Sequence, residues 1–329
     1  MMSPIKRRKF IAKAFSGSAL LGGLSALPGQ EAQKPARERE AEVFIERAVP
    51  GKPHAGKVLA IIEPHLDDGP IFVGGTVAKL LNEGYTGYLI RTSNDEKDSW
   101  DLTLGETVLA NERDTKVFVK TMGLKDVFDL GNRNHRMDDI SRLELRGRLI
   151  FLIRLLKVDT IFSYDPWGHY EENPDHYVTA SAVEAACTFA DGRLDYTEHF
   201  AAGLKPQRVK EKYYFARGPQ VVNRVVDIST TIEQKLAAIR TCKTMIYHMV
   251  RRLEADLAQR NLRLPMLSED EDAAIRTFIA LQFRDAAARV GQKYGLQYAE
   301  AFHYFGPESA YYMGSALDEF TKKNAVPLR

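Results

Sequence analysis

Apolar strand-like runs alternate with amphipathic helical patterns in this chain, and the alternation limits its fold more than any other feature. Val58 to Ile62 is a continuous apolar run that ends at Pro64, as expected of a strand buried on both faces. Further runs of this kind lie at 88–90, 127–130 and 160–163, and helical patterns lie at 77–81, 106–122, 140–156 and 173–189. Strands that alternate with helices predict βαβ units and a mostly parallel sheet.

The pattern changes after Asp191, where two more strand-like runs (213–215 and 221–228) precede helical patterns at 231–260 and 269–293. The first of these patterns fits one helix or two. No internal repeat and no linker rich in proline and glycine divides the body of the chain. We therefore expect one α/β domain at 56–310, a Rossmann-like three-layer sandwich with extra C-terminal helices, followed by a tail at 311–329.

A basic leader opens the chain. Arg7 and Arg8 form an adjacent pair, and an uncharged stretch rich in Gly, Ser, Ala and Leu runs from Ala14 to Leu27. This stretch is too short and too weakly apolar to span a membrane, and the pattern resembles a twin-arginine signal peptide. A membrane-tethered anchor and a basic tail are the alternatives. We expect a signal at 1–32, a solvated linker at 33–55, the twin-arginine export machinery as a partner, and a location outside the bacterial cytoplasm.

Charge and cysteine content exclude several classes of protein. The net charge is +2, but residues 1–30 hold five basic and no acidic side chains, so the remaining chain carries 41 basic against 44 acidic groups. A body so close to neutrality gives no electrostatic reason to bind nucleic acid or an anionic membrane. Cys187 and Cys242 are too few for a disulfide framework and are expected to be buried thiols. The oligomeric state stays open.

Polar residues follow the first strand directly. His65, Asp67 and Asp68 lie at the carboxyl end of a buried strand, where functional groups of an open parallel sheet collect. His65 and Asp68 offer the nitrogen and oxygen ligands that Zn²⁺ accepts, and Asp67 between them could act as a general base. The same residues would also suit a polar loop with an aspartate that caps the next helix.

A second polar group follows the fourth strand and reaches the same edge of the sheet. Asn173 is a plausible N-cap and Pro174 suits the first helical position, which places Asp175 and His176 in the first turn. His176 could complete a His-Asp-His site that leaves one position open, as catalytic zinc sites do. Taken alone, Asp175 could simply favour the helix dipole and His176 could be a surface residue.

Together these segments resemble the PIG-L/LmbE-like deacetylases over roughly residues 56–305. The resemblance rests on His65-Leu66-Asp67-Asp68, Gly74-Gly75-Thr76, Arg113, Asp165-Pro166-Trp167 and Pro174-Asp175-His176, and more weakly on 235–238 and 299–302. It implies an LmbE-like fold and zinc-dependent hydrolysis of an N-acetyl group on a GlcNAc-type sugar or its conjugate, with Fe²⁺ as an alternative metal.

The resemblance also implies roles for residues. His65, Asp68 and His176 would bind zinc, Asp67 would be the base, and Arg113 would contact substrate or the departing acetate. We also expect Asn173 and Asp175, in the second motif, to be substrate-binding residues. Trp167 could stack on a sugar face or simply wall the loop.

This chain departs from the family pattern at Asn173, where a histidine is usual and is thought to assist the oxyanion or the leaving amine. Asparagine donates a hydrogen bond but carries no proton at neutral pH. His169 nearby could substitute, or Asp67 could return its proton to the amine. His135 and His303 lack ligand-type partners nearby in the sequence. Two alternatives remain: an amidase of a larger acyl or thiol conjugate, and a silent carbohydrate-binding protein on the same fold.

Overall fold

The computed structural model describes residues 43–267, 270–306 and 316–327. The strands are β1 (Phe44–Glu46), β2 (Val58–Glu63), β3 (Thr86–Ser93), β4 (Asp126–Asn132), β5 (Thr160–Tyr164), β6 (Glu211–Phe215), β7 (Arg224–Asp227) and β8 (Ala299–Phe305). The helices are α1 (Asp68–Asn82), α2 (Leu104–Met122), α3 (Arg142–Leu156), α4 (Pro174–Phe189), α5 (Glu198–Ala201), α6 (Ile232–Thr241), α7 (Lys243–Ala258), α8 (Glu271–Ile279), α9 (Asp285–Gln292) and α10 (Ala316–Asn324). The predicted signal at 1–32 lies outside the described residues.

The eight strands form one sheet in the order β1-β7-β8-β6-β5-β2-β3-β4. Its pairs are parallel except those of β8, which runs antiparallel to β6 and β7. The predicted fold class is therefore confirmed: a mostly parallel sheet flanked by helices. The chain leaves β2 in one direction through β3 and β4, and then returns to the other side of β2 through β5. This reversal creates a topological switch point between β2 and β5, where open α/β sheets bind their ligands.

Strand β2 shows how the sheet separates two helical layers. Leu59 and Ile61 point into one hydrophobic core, and Ala60 and Ile62 point into the other, each fully buried. Side chains alternate along a strand, so a continuous apolar run is what burial on both faces requires. Helices α1 and α6 contribute to the first core, and α3 and α4 to the second.

Helix α1 begins earlier than the sequence predicted. The helical pattern in the sequence begins at residue 77, but α1 begins at Asp68, and Gly74 and Gly75 lie in its interior. A Cβ at Gly75 would lie 2.7 Å from the Ile228 side chain, and one at Gly74 would meet Lys235 at 3.3 Å. The glycines therefore permit close packing of neighbouring elements, and this overrides their poor helix propensity.

Several elements differ from their predicted extent. The 231–260 pattern is two helices that meet at Cys242, and the 269–293 pattern contains a π-helical segment, Ala280–Arg284, between α8 and α9. Strand β1 lies within the predicted linker at 33–55, and α10 lies within the predicted tail. Strand β1 has three residues, too few to show a period, and its assignment depends on its pairing with β7. In the part of the chain that the structure describes, no helix is both long and apolar enough to span a membrane.

Candidate metal centre and active site

Three side chains that follow two neighbouring strands meet at the switch point. His65 lies in the loop after β2, Asp68 is the first residue of α1, and His176 lies in the first turn of α4 behind β5. The Nδ1 atom of His65 lies 3.0 Å from Nε2 of His176 and 3.4 Å from Oδ2 of Asp68. The Nε2 atom of His176 lies 3.8 Å from Oδ1 of Asp68. All three side chains are buried.

A carboxylate faces the opposite nitrogen of each imidazole. The Nε2 atom of His65 lies 3.1 Å from Oδ2 of Asp175, which is fully buried. Glu171 Oε1 lies 3.1 Å from Nδ1 of His176, an ion-pair distance without an aligned hydrogen bond within the described residues. These partners favour a proton on His65 Nε2 and on His176 Nδ1, so the two nitrogens that face each other carry lone pairs.

Two lone pairs and a carboxylate that converge in this way repel one another unless a cation lies among them. Ligand atoms bound at 2.0–2.2 Å in a tetrahedral zinc site lie about 3.3–3.6 Å apart. The three observed separations of 3.0, 3.4 and 3.8 Å bracket that range. His65, Asp68 and His176 thus form a group that could hold a metal ion.

The two adjacent aspartates differ in their surroundings. Asp68 accepts a hydrogen bond from the Tyr164 hydroxyl and another from the His65 backbone N–H at 3.1 Å. Burial opposes ionisation of Asp68, but His176 and His65 hold its pKa at about 2. Burial and the neighbouring Asp68 raise the pKa of Asp67 well above its usual range. The Asp67 carboxylate makes no cap hydrogen bond to α1 and is therefore open to the cavity.

A cavity of about 850 Å³ opens over this group. Its polar wall includes Asp67, Asp98, His135, Asn173 and Arg217. A second wall is apolar and comes from α1, α7 and the C-terminal helices: Phe72, Met249, Phe278, Phe283 and Val290. The cavity therefore joins a polar reaction centre to a hydrophobic extension.

The structure brings together some of the predicted site residues and separates others. Asn173 lines the cavity, and its Oδ1 accepts the Asp175 N–H at 2.9 Å as the predicted N-cap. Asp175 lies behind His65 and not on the cavity wall. Arg113 is exposed on α2, and Trp167 is 51% exposed beside Tyr214; neither lines the cavity. Their predicted contacts with substrate stay predictions.

Four residues of the site were not assigned from the sequence. Glu171 supports His176 and binds Arg217, whose Nε donates to it at 3.1 Å. Asp98 and His135 line the cavity from the loops after β3 and β4. The sequence feature that could have indicated Asp98 and His135 is their position, since each follows the carboxyl end of a parallel strand. His169, suggested as a substitute for the missing histidine, is exposed and does not line the cavity.

A mostly parallel sheet with a His-Asp-His group and an adjacent carboxylate at its switch point is the arrangement expected of a metal-dependent hydrolase. Residues 60–187 match the family model described as GlcNAc-PI de-N-acetylase. The chain is also similar to the diacetylchitobiose deacetylase of Thermococcus kodakarensis, with 30% identity over 188 residues, which is 56% of this chain and 68% of that protein. It therefore belongs to the PIG-L family, and it is an N-deacetylase, a hydrolase of carbon–nitrogen bonds.

Solved structures agree on the fold. The N,N'-diacetylchitobiose deacetylase of Pyrococcus horikoshii aligns with a TM-score of 0.61 and 23% identity, covering 80% of this chain and 88% of that one. A conserved protein from Thermus thermophilus aligns with a TM-score of 0.54 and 21% identity, covering 76% of this chain and 94% of that one. At these identities the likeness concerns the fold alone.

Proposed function

We propose that this chain is a zinc-dependent deacetylase that hydrolyses the N-acetyl amide of a GlcNAc-type sugar or sugar conjugate, releasing acetate and a free amine. The observation that carries the proposal is the convergence of His65 Nδ1, His176 Nε2 and the Asp68 carboxylate on one point, with the Asp67 carboxylate open to the same cavity. His65, Asp68 and His176 hold the metal. Their nitrogen and oxygen donors suit zinc and also accept Fe²⁺.

When bound, the metal supplies positive charge that polarises water and the amide carbonyl. The chain supplies the rest. Asp67 accepts the proton of the attacking water, because its carboxylate is not engaged in capping α1. The Nδ2 group of Asn173 can donate to the acetamide oxygen, since only its Oδ1 is used by the helix cap. Asp175 fixes the ring of His65 through the 3.1 Å contact to Nε2.

The substrate class rests on the relatives and on the cavity. The matching family and the two diacetylchitobiose deacetylases carry names that describe N-acetylated glucosamine compounds. A cavity of about 850 Å³ has room for a drug-sized molecule, and its apolar wall favours a conjugate whose second part is hydrophobic. The apolar wall also supports a second candidate function, that of an amidase acting on a larger acyl group.

An acetate-release screen over acetamido sugars with the zinc-loaded protein tests the proposal. We expect release of one acetate per amine formed, and lower release together with lower zinc content in His176→Ala. His303→Ala is the matched control, because His303 on β8 bonds Asp165 and does not line the cavity. Binding of sugars without turnover would identify a silent carbohydrate-binding protein and overturn the proposal.

Two substrate series separate the candidates. In the first, the acetyl group is constant and the aglycone of the glucosaminide grows from methyl to octyl. In the second, the sugar is constant and the acyl chain grows from two carbons to eight. We expect kcat/KM to rise along the first series and fall along the second. The reverse order would make the protein an amidase of long acyl chains.

We further propose that the chain is exported by the twin-arginine route, on the basis of Arg7 and Arg8 before an uncharged stretch. Replacing both arginines by lysine should leave the full-length protein folded in the cytoplasm. Fractionation of cells that express the two forms tests this. Unchanged export of the lysine variant would point to an ordinary secretory signal.

A further inference from the structure

One wall of the cavity comes from a single helical stretch near the C-terminus. Helix α8 continues through the π-helical segment Ala280–Arg284 into α9 without a break. Six residues of this stretch line the cavity, and we call them the α8–α9 face: Phe278, Gln282, Phe283, Ala286, Ala287 and Val290. Five of the six are apolar. The stretch lies outside residues 60–187, which match the family model, so the face belongs to the part of this chain that the model does not cover.

The π turn places these six side chains on one side of the helix. In a regular α-helix, at about 100° per residue, Phe283 and Ala287 would lie about 140° and 180° around the axis from Phe278. A π turn takes one more residue than an α turn, and Leu281, which is 57% exposed, is the residue turned outward. With that residue absorbed, Phe283 and Ala287 lie about 40° and 80° from Phe278. The six positions then follow the spacing of one continuous helical face, and π turns of this kind are frequent at functional sites.

Aromatic contacts connect the apolar side of the cavity to the metal centre. Phe72 lies one turn after Asp68 on α1, on the same side of the helix, and it also lines the cavity. Its ring stacks on Phe215 with 5.0 Å between the centroids. It lies edge-on to Tyr164 at 5.9 Å, and the Tyr164 ring stacks on His176 at 4.1 Å. One cavity therefore extends from the metal ligands to the α8–α9 face.

The buried charges on this side of the cavity are already engaged within the protein. Nζ of Lys235 donates to the Ile71 carbonyl at 2.6 Å and pairs with Glu300. These two groups are therefore poorly placed to bind a charged part of a substrate. Phe278 and Ala286 are only half-buried, so apolar surface remains open on the cavity wall. Such surface gains free energy when hydrocarbon replaces water against it.

The α8–α9 face is long and narrow. From Phe278 to Val290 it extends about 18 Å along the helix, at about 1.5 Å per residue. An acetyl group has two carbons and covers little of this length, whereas the aglycone on the other side of the sugar can lie along it. We propose that the α8–α9 face is a subsite for a linear hydrocarbon aglycone, and that Ala286 near its middle sets the length of chain that fits. The inference rests on the proposed deacetylase function.

A matched pair of variants tests the role of Ala286. Ala286→Leu and Ala288→Leu place the same side chain on the same helix, and leucine is nearly as good a helix former as alanine. Only Ala286 lines the cavity. We expect Ala286→Leu to lower kcat/KM for the octyl N-acetylglucosaminide about 10-fold more than for the methyl compound, because the leucine side chain occupies the path of the chain. Ala288→Leu should keep the wild-type ratio, and both variants should keep their Tm and zinc content. A loss in Ala286→Leu that follows the length of the acyl group would overturn the proposal.

The deacetylated products test the subsite without turnover. Calorimetry with the zinc-loaded protein should show octyl glucosaminide binding about 10-fold or more tightly than methyl glucosaminide, since several methylenes are buried. The octyl compound should also give the more negative heat-capacity change. Both differences should be lost in Ala286→Leu and kept in Ala288→Leu. Equal binding of the two products by the wild type, or an undiminished difference in Ala286→Leu, would overturn the proposal. A wild type that prefers the octyl product and releases acetate from neither substrate would contradict the deacetylase function and leave the subsite standing.

Discussion

Two neighbouring carboxylates, Asp67 and Asp68, are given different tasks by their surroundings. Asp68 is held ionised beside two imidazoles and accepts hydrogen bonds from Tyr164 and the His65 backbone. Asp67 does not cap its helix and faces the cavity with a raised pKa. A pair of acids whose environments separate their pKa values is a common basis for dividing roles in catalysis. Here the division is between holding a metal and accepting a proton.

Replacing each aspartate by asparagine should separate those tasks. Asp67→Asn keeps the shape of the side chain and removes the proton acceptor, so kcat should fall about 10²–10⁴-fold while zinc content stays intact. Asp68→Asn should lose zinc as well as activity, since a neutral amide is a poorer ligand. Metal content by mass spectrometry, measured with kcat, distinguishes the two. If zinc were lost in Asp67→Asn and not in Asp68→Asn, Asp67 would be the metal ligand and Asp68 the base.

The two cysteines allow a pH-dependent test of burial. Burial raises the pKa of Cys187 to about 12 and raises the pKa of Cys242 well above its usual range. A raised pKa keeps a thiol neutral at pH values where an exposed cysteine, with a pKa of about 8.5, already forms the reactive thiolate. The folded protein should therefore resist a thiol-disulfide reagent at pH 9 and react with two equivalents after unfolding. Fast reaction of the folded protein would show that the two thiols are accessible to solvent and not buried.

At the scale of elements, helix α1 is held by a buried ion pair from two other parts of the chain. The backbone N–H groups of Gly75 and Thr76 donate to Glu300 on β8 at 3.0 and 2.8 Å, and Nζ of Lys235 on α6 donates to the Ile71 carbonyl at 2.6 Å. Lys235 also pairs with Glu300. The pair fixes the helix whose first residue is Asp68, and the bare Cα atom of Gly74 gives Lys235 room to approach.

Removing one partner of this pair should be costly. Glu300→Gln leaves the ammonium group of Lys235 buried without a counter-charge, and we expect a loss of about 3 kcal/mol or more in the free energy of unfolding. Urea unfolding measures it. Glu144→Gln is a control, because the Glu144–Arg148 pair is exposed on α3 and should contribute at most about 1 kcal/mol. Equal effects of both variants would contradict the role of Glu300.

Elements with strong local signals were predictable from the sequence, and those that depend on distant partners were not. Helix α4 begins at Pro174 with Asn173 as its cap, as its own residues indicated. Strand β8 was not predicted, because its place in the sheet depends on pairing with β6 and β7. The metal group was predictable because each motif follows a strand end. His135 was not, because only tertiary contacts bring its loop to Asp175.

At the scale of the whole molecule, the order of the strands explains where the site lies. Strands β2 and β5 are neighbours in the sheet, yet about a hundred residues separate them in the chain. The connections leave the two strands in opposite directions, so a crevice opens at their carboxyl ends. His65 and Asp68 follow one strand and His176 follows the other. The C-terminal helices, which the sequence analysis predicted only as additions to the α/β domain, supply most of the apolar wall of the cavity.

The most direct test of the metal centre is anomalous diffraction at the zinc absorption edge from crystals of the zinc-loaded protein. We expect one peak per chain, within about 2.0–2.2 Å of His65 Nδ1, His176 Nε2 and a carboxylate oxygen of Asp68. A second group of possible ligands, formed by His65, Asp95 and Asp98, lies beside it. A peak at that group, or no peak near His176, would contradict the assignment of the catalytic metal to the switch point between β2 and β5.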